Sequence, residues 1–176
     1  MNEYRFTLRF SLPSTDLDLD DLVERLGEEG CDDALVGIGH AGRIALDFIR
    51  ADRSAREAVL SAVSDVVRAV PGAQLVEATP DLVGATDVAE LVGCSRQNIR
   101  KLMIAGGSTA PAPLHEGTRA IWHLAPVLSW LVSAKDYTIE RGLIELAEAT
   151  MQVNLAVDSR SRDPRLQDEV RALLTG

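Results

Sequence analysis

Residues 85–106 read ATDVAELVGCSRQNIRKLMIAG, and the spacing of their apolar side chains fits two short helices that meet at a tight turn. Val88, Ala89 and Val92 make one inward face, Gly93 supplies a residue able to turn with positive φ, and Ile99, Leu102 and Met103 make the second inward face. Ser95 suits the N-cap of the second helix. Behind it Gln97, Arg100 and Lys101 project outward, with Arg96 flanking them near the N-terminus. Such groups read bases: Arg grips guanine O6 and N7 in a bidentate fork, Gln does the same to adenine, and Lys neutralises phosphate or meets guanine. A plain packing unit of two helices around a glycine is the competing reading of the same stretch.

Ala89, Gly93 four residues on and Ile99 six further resemble the core signature of helix-turn-helix proteins. Downstream, Pro111 and Pro113, then residues 115–122 (HEGTRAIW) and 125–131 (APVLSWL), resemble the wing and following helix of excisionase and MerR-type winged domains. The likeness spans roughly fifty residues. In that family the second helix enters the major groove and the wing touches the backbone, which implies phosphate or minor-groove contact for Arg119 and His115. A helix beyond the wing pairs two subunits in MerR-type relatives, and residues 137–157 lie in the matching place. The residues themselves suit a ribbon: Glu116-Gly117 can form its tip, and Ile121 and Trp122 return it to the core.

Charge is unevenly distributed along the 176 residues, whose net charge is −9. Residues 1–80 carry eight Arg and fifteen acids, residues 81–135 carry five cations and four acids, and residues 136–176 carry five Arg and eight acids. A middle segment of net +1 binds DNA weakly alone, so useful occupancy requires two modules on two half-sites, and hence a homodimer. The acidic first segment is expected to face away from a duplex and to serve assembly or sensing. Sixteen Arg against two Lys hint at a GC-rich bacterial genome.

Residues 4–12 alternate Tyr4, Phe6, Leu8, Phe10 and Leu12 with polar residues, the pattern of a half-buried strand. Leu19, Leu22, Val23 and Leu26 follow at helical spacing. Residues 34–39 and 43–49 read as strands joined around His40-Ala41-Gly42, and a second helix capped near Ser54 buries Ala58, Val59, Ala62, Val63, Val66, Val67 and Val70. Pro71-Gly72 ends that helix, and residues 73–78 make a last strand. The expected fold class is therefore α+β: a ferredoxin-like βαββαβ sandwich over 1–80, a winged helix-turn-helix over 81–135, and C-terminal helices over 136–176. The sandwich hosts metabolite sensors, dimerisation modules and RNA readers alike, so a small-molecule effector is conceivable but unidentified. An RNA platform is disfavoured because the strands present no outward aromatic pair and Phe48 reads as core.

Little else suggests chemistry. Asp16, Asp18, Asp20 and Asp21 alternate like hard-cation ligands, but the run lacks the mid-loop glycine and closing Glu of a calcium loop and better suits a helix start. His40, His115 and His123 are isolated, and Cys31 and Cys94 stand far apart with no CxxC, so neither a metal nor a cofactor is expected. No nucleophile elbow or dinucleotide fingerprint occurs, which argues against an enzyme. The N-terminal residues lack a basic, apolar leader and no stretch is long enough to span a bilayer, so a cytoplasmic location is expected. Residues 137–157 and a short helix after Pro164 complete the chain, the former expected to self-associate. The leading functional expectation is a dimeric bacterial transcription regulator that binds double-stranded DNA. The alternatives are an excisionase-like architectural or recombination factor and a protein-interaction adaptor whose helix pair reads nothing.

Overall fold

Tyr4, Phe6, Leu8 and Phe10 alternate on one face of β1 (Asn2–Ser11), and burying that face determines the sheet. The computed structural model describes residues 1–14, 18–39 and 42–174. After β1 come α1 (Leu19–Glu28), β2 (Ala34–Ile38), β3 (Arg43–Asp52), α2 (Ala55–Ala69) and β4 (Gln74–Thr79). The four strands form an antiparallel sheet of order β2-β3-β1-β4, which is the strand and helix succession expected from the sequence. Phe6 and Phe48 face each other in register across β1 and β3 and stack with centroids 5.2 Å apart, so Phe48 is core. The turn at His40 and Ala41 lies outside the described residues, as does Asp16.

The helix starts follow their sequence signals. Asp18 accepts hydrogen bonds from the backbone N–H groups of Asp20 and Asp21 at the head of α1, and Ser54 accepts one from Glu57 at the head of α2. Three apolar positions depart from expectation. Leu22 and Leu26 are buried but Leu19 and Val23 are exposed, and on α2 Val67 turns to solvent. The β1–β4 ladder is irregular where Arg9 pairs with Glu77 but Phe10 pairs with Leu75; Val76 is the extra residue, and Ala78 instead of Glu77 follows Leu75 into the core.

On β3, the inward position after Phe48 is Arg50, a buried guanidinium rather than an apolar side chain. It donates to both carboxylate oxygens of Asp33, to Asp65 and Ser61, and to the Gly30 carbonyl. Burial alone disfavours its charge, but the bonds to Asp33 and Asp65 outweigh that cost and hold its pKa above the ordinary value. Beside this cluster the Cys31 thiol is pushed up to about 11, first by burial and then by the Asp65 carboxylate.

Beyond β4 the chain forms β5 (Leu82–Val83), α3 (Ala85–Leu91), α4 (Arg96–Gly106), β6 (Trp122–His123), α5 (Leu124–Lys135), α6 (Arg141–Asp158) and α7 (Pro164–Leu174). β5 and β6 pair with each other, Leu82 opposite His123 and Val83 opposite Trp122. Two buried clusters result, one between the four-stranded sheet and its helices and one among α3, α4 and α5. α6 enters both: Leu146 packs in the first and Ala147 in the second. The inner face of this helix, expected to pair subunits, is thus used within its own chain.

α6 also fixes the segment between the clusters by hydrogen bonds. Asn154 brackets Ala78, accepting from its N–H and donating to its carbonyl at 2.8 Å each, as a neighbouring strand would. The same amide donates to Asp81 Oδ2, whose other oxygen lies 2.7 Å from His123 Nδ1. Thr150 donates to the Pro80 carbonyl, and the Asp81 carbonyl accepts from Leu124 N–H. Every buried polar group of this joint finds a partner there.

Asn154→Ala is expected to lower stability by about 2–4 kcal/mol, since it strands the outer N–H and carbonyl of Ala78 and removes a donor from a buried carboxylate. Urea denaturation checks this, and an unshifted midpoint would show that the joint carries no net stability. A second expectation concerns pH. Because the native Cys31 thiol stays protonated beyond the 9.0 of an unperturbed thiol, its contribution is complete below pH 9 and declines as pH rises towards about 11. Between pH 8.5 and 10.5, the native protein should therefore lose more stability than a Cys31→Ala variant.

Candidate nucleic-acid interface

α3 and α4 meet at the turn that the sequence foretells. Gly93 has φ of 69°, a left-handed conformation that suits glycine, and Ser95 caps α4 by accepting from Asn98 N–H. Val88, Ala89 and Ile99 are buried together, with Val92, Leu102 and Met103 packed at the margin of the same cluster. α4 ends where its backbone approaches Trp130: a Cβ at Gly106 would stand 2.6 Å from the indole. That close approach explains a glycine inside the last turn of a helix.

The outer side of α4 carries the predicted residues. Ser95, Arg96, Gln97, Arg100 and Lys101 are all exposed, and helical spacing places Gln97, Arg100 and Lys101 on one face. Ile104, 79% exposed, extends the same row one turn on. Sequence reasoning missed it, although its position four residues after Arg100 was the available signal. α4 contains three cations and no acid, and among the described residues none of those cations enters an ion pair.

The net charge of residues 81–135 understates this face. Of its four acids, Asp81 is buried against His123 and Asn154, and Asp87 accepts from Gly84 N–H at the head of α3. Glu90 and Glu116 are the two left exposed without such a role.

The segment after α4 differs from a two-stranded ribbon. Its ladder is one bridge, His115 opposite Ile121, closed by Leu114 N–H and Ile121 N–H donating to Ile121 and His115 carbonyls. Trp122 continues not along a ribbon partner but into pairing with Val83, and its indole N–H donates to the Pro111 carbonyl. The physical reason is burial: Val83 and Trp122 both belong to the second cluster, so the strand is drawn inward. Arg119 and His115 are exposed, but the His115 ring lies against Gly117, 2.5 Å from where a Cβ would be. Among the described residues no hydrogen bond or ion pair joins this loop to α4, so the structure brings together the α4 residues and leaves His115 and Arg119 on a separate loop.

A further contact buttresses α4 from behind. Asn98 Nδ2 donates to the Tyr137 hydroxyl, in the segment between α5 and α6. The Tyr137 pKa is raised, chiefly by burial and then by the nearby Cys94 thiol, against the lowering effect of Asn98. The phenol therefore remains neutral at ordinary pH and continues to bind Asn98. Cys94 itself packs at the edge of the second cluster.

No group of His, Cys, Asp and Glu suited to holding a metal occurs among the described residues, and no helix among them is long and apolar enough to cross a membrane. No protein-family model, curated protein or solved structure matches the chain.

Ile99→Ala should destabilise the fold by about 2–5 kcal/mol, because it empties the contact between α3 and α4. Denaturation midpoints test this; a variant as stable as the parent would remove Ile99 from the core of the helix pair.

Proposed function

We propose that this chain is a sequence-specific DNA-binding protein, a dimeric bacterial transcription regulator. In this reading residues 81–135 act as a winged helix-turn-helix, and residues 1–80 as a ferredoxin-like domain for assembly or sensing. One observation carries it: the outer face of α4 presents Gln97, Arg100 and Lys101 in a row, beside Arg96, with no acid on the helix and, among the described residues, no ion pair engaging its cations. Exposed cations on a well-capped helix are held ready for an anionic surface.

The chemistry assigns roles along that row. With α4 in the major groove, Arg100 and Gln97 face base edges, where a guanidinium suits guanine and a carboxamide suits adenine. Arg96 at the start of the helix and Lys101 at its middle neutralise phosphates, and Ile104 meets a thymine methyl or the sugar edge. Arg119 reaches the backbone from its loop. A single module with few phosphate contacts is salt-sensitive and weak, so two copies on half-sites about 34 Å apart supply the affinity. The acidic N-terminal part turns away from the duplex.

A second reading, a protein-interaction adaptor, draws on the loop at 115–121. A loop closed by one bridge offers a small second anchor on DNA, and the segment's net charge is only +1.

The deciding experiment is affinity selection of sheared genomic DNA by the purified protein at physiological salt, with Arg100→Ala in parallel. A recurrent inverted repeat, enriched by the parent and lost or relaxed in the variant, supports base reading. Equal enrichment by both proteins, or none, overturns it. On a selected site Arg100→Ala should cost about 1–3 kcal/mol and relax one base preference, whereas Arg119→Ala should weaken all sequences alike and lower the salt slope by about one.

A further inference from the structure

α7 is an amphipathic helix with none of its side chains buried. Leu166, Val170, Leu173 and Leu174 recur along one side of it and all are exposed. A stripe of this kind on an 11-residue helix is too short to persist by propensity alone and calls for a surface to cover it.

The same chain carries a surface of matching form. A groove of about 700 Å³ runs between α2 and α6. Its floor is made of small apolar residues, among them Ala55, Val59, Ala149 and Val153. Its α6 side extends from Glu145 to Ala156, about 16 Å of helix, and α7 is also about 16 Å long. The charges at its edges are sorted: Arg53 and Arg56 stand on the α2 wall, Glu145 and Glu148 on the α6 wall. On α7 the charge nearest the apolar stripe is Glu169. Helical spacing puts Glu169 along one border of its apolar stripe, with Arg165 further round on that side, and Gln167 and Arg171 along the other, where Arg171 pairs with Asp168 at 3.1 Å. In one direction along the groove Glu169 faces the arginine wall; in the reverse direction it meets Glu145 and Glu148.

We infer that α7 of a second copy of this chain seats its Leu166–Val170–Leu173 stripe in the α2–α6 groove, reciprocally, so that two copies exchange C-terminal helices. Helix-in-groove recognition uses such i, i+4, i+7 anchors, and an isologous exchange closes as a dimer. The exchange supplies the pairing that reading two half-sites requires, and rests on that reading only for its purpose.

The test is the mass of the full-length protein in solution without DNA, by sedimentation equilibrium across a concentration series. The expected result is a dimer of twice the 19.0 kDa chain mass. Leu173→Glu should yield monomer with an unchanged circular dichroism spectrum, since that side chain is not buried in its own chain. Arg56→Glu should raise the dimer dissociation constant roughly three- to ten-fold, and Arg56→Glu combined with Glu169→Arg should restore it. A monomeric parent overturns the inference, whether α7 lies in its own groove or stands free. So does a dimer indifferent to Leu173→Glu, or one that the charge exchange fails to rescue. Failure here leaves the DNA selection result untouched, and failure of that selection leaves the mass measurement untouched.

Discussion

The hydrogen bonds that Asn154 makes to Ala78 and Asp81 hold the two buried clusters of this protein in one arrangement. A strand edge must be covered or blunted, and here one side-chain amide supplies the N–H and carbonyl partners that another strand would have offered. Reaching from there to Asp81, it fixes the segment from which β5 departs. Asp81 in turn orients His123 at the start of α5. Buried polar groups of this kind are costly unless all are satisfied, which makes the joint specific as well as stabilising.

The position of α4 follows from that joint. β5 pairs with β6, β6 leads into α5, and α5 packs beneath α3 and α4 through Leu124, Leu128 and Trp130. From the far side, Tyr137 holds Asn98. α4 is therefore supported along its inner face while its cationic face stays open. Of the four acids of residues 81–135, one is buried in the joint and another caps α3, while Glu90 and Glu116 stay exposed. Linear charge counting misses this separation, because it weighs a buried, hydrogen-bonded carboxylate equally with an exposed one.

The first 80 residues show where period-two and helical spacing suffice and where they fail. β1 and α2 were legible because their apolar residues repeat without competing signals. Arg50 was not, since an inward guanidinium depends on Asp33 and Asp65, which only the fold brings near. The extra residue at Val76 was not legible either, because a single strand's pattern does not reveal its partner's register.

Local spacing alone determined the βαββαβ succession, the tight turn at Gly93, the cap at Ser95 and the outward row on α4, all set by interactions within a few residues. Tertiary structure decided the rest. It drew Trp122 into pairing with Val83 instead of a ribbon, laid α6 across both clusters instead of leaving its inner face to a partner, and buried Asp81 beside His123. Each of these joins residues far apart in the chain. What selects them is the burial of apolar surface together with the hydrogen bonds that satisfy the polar groups of the Asn154–Asp81 joint.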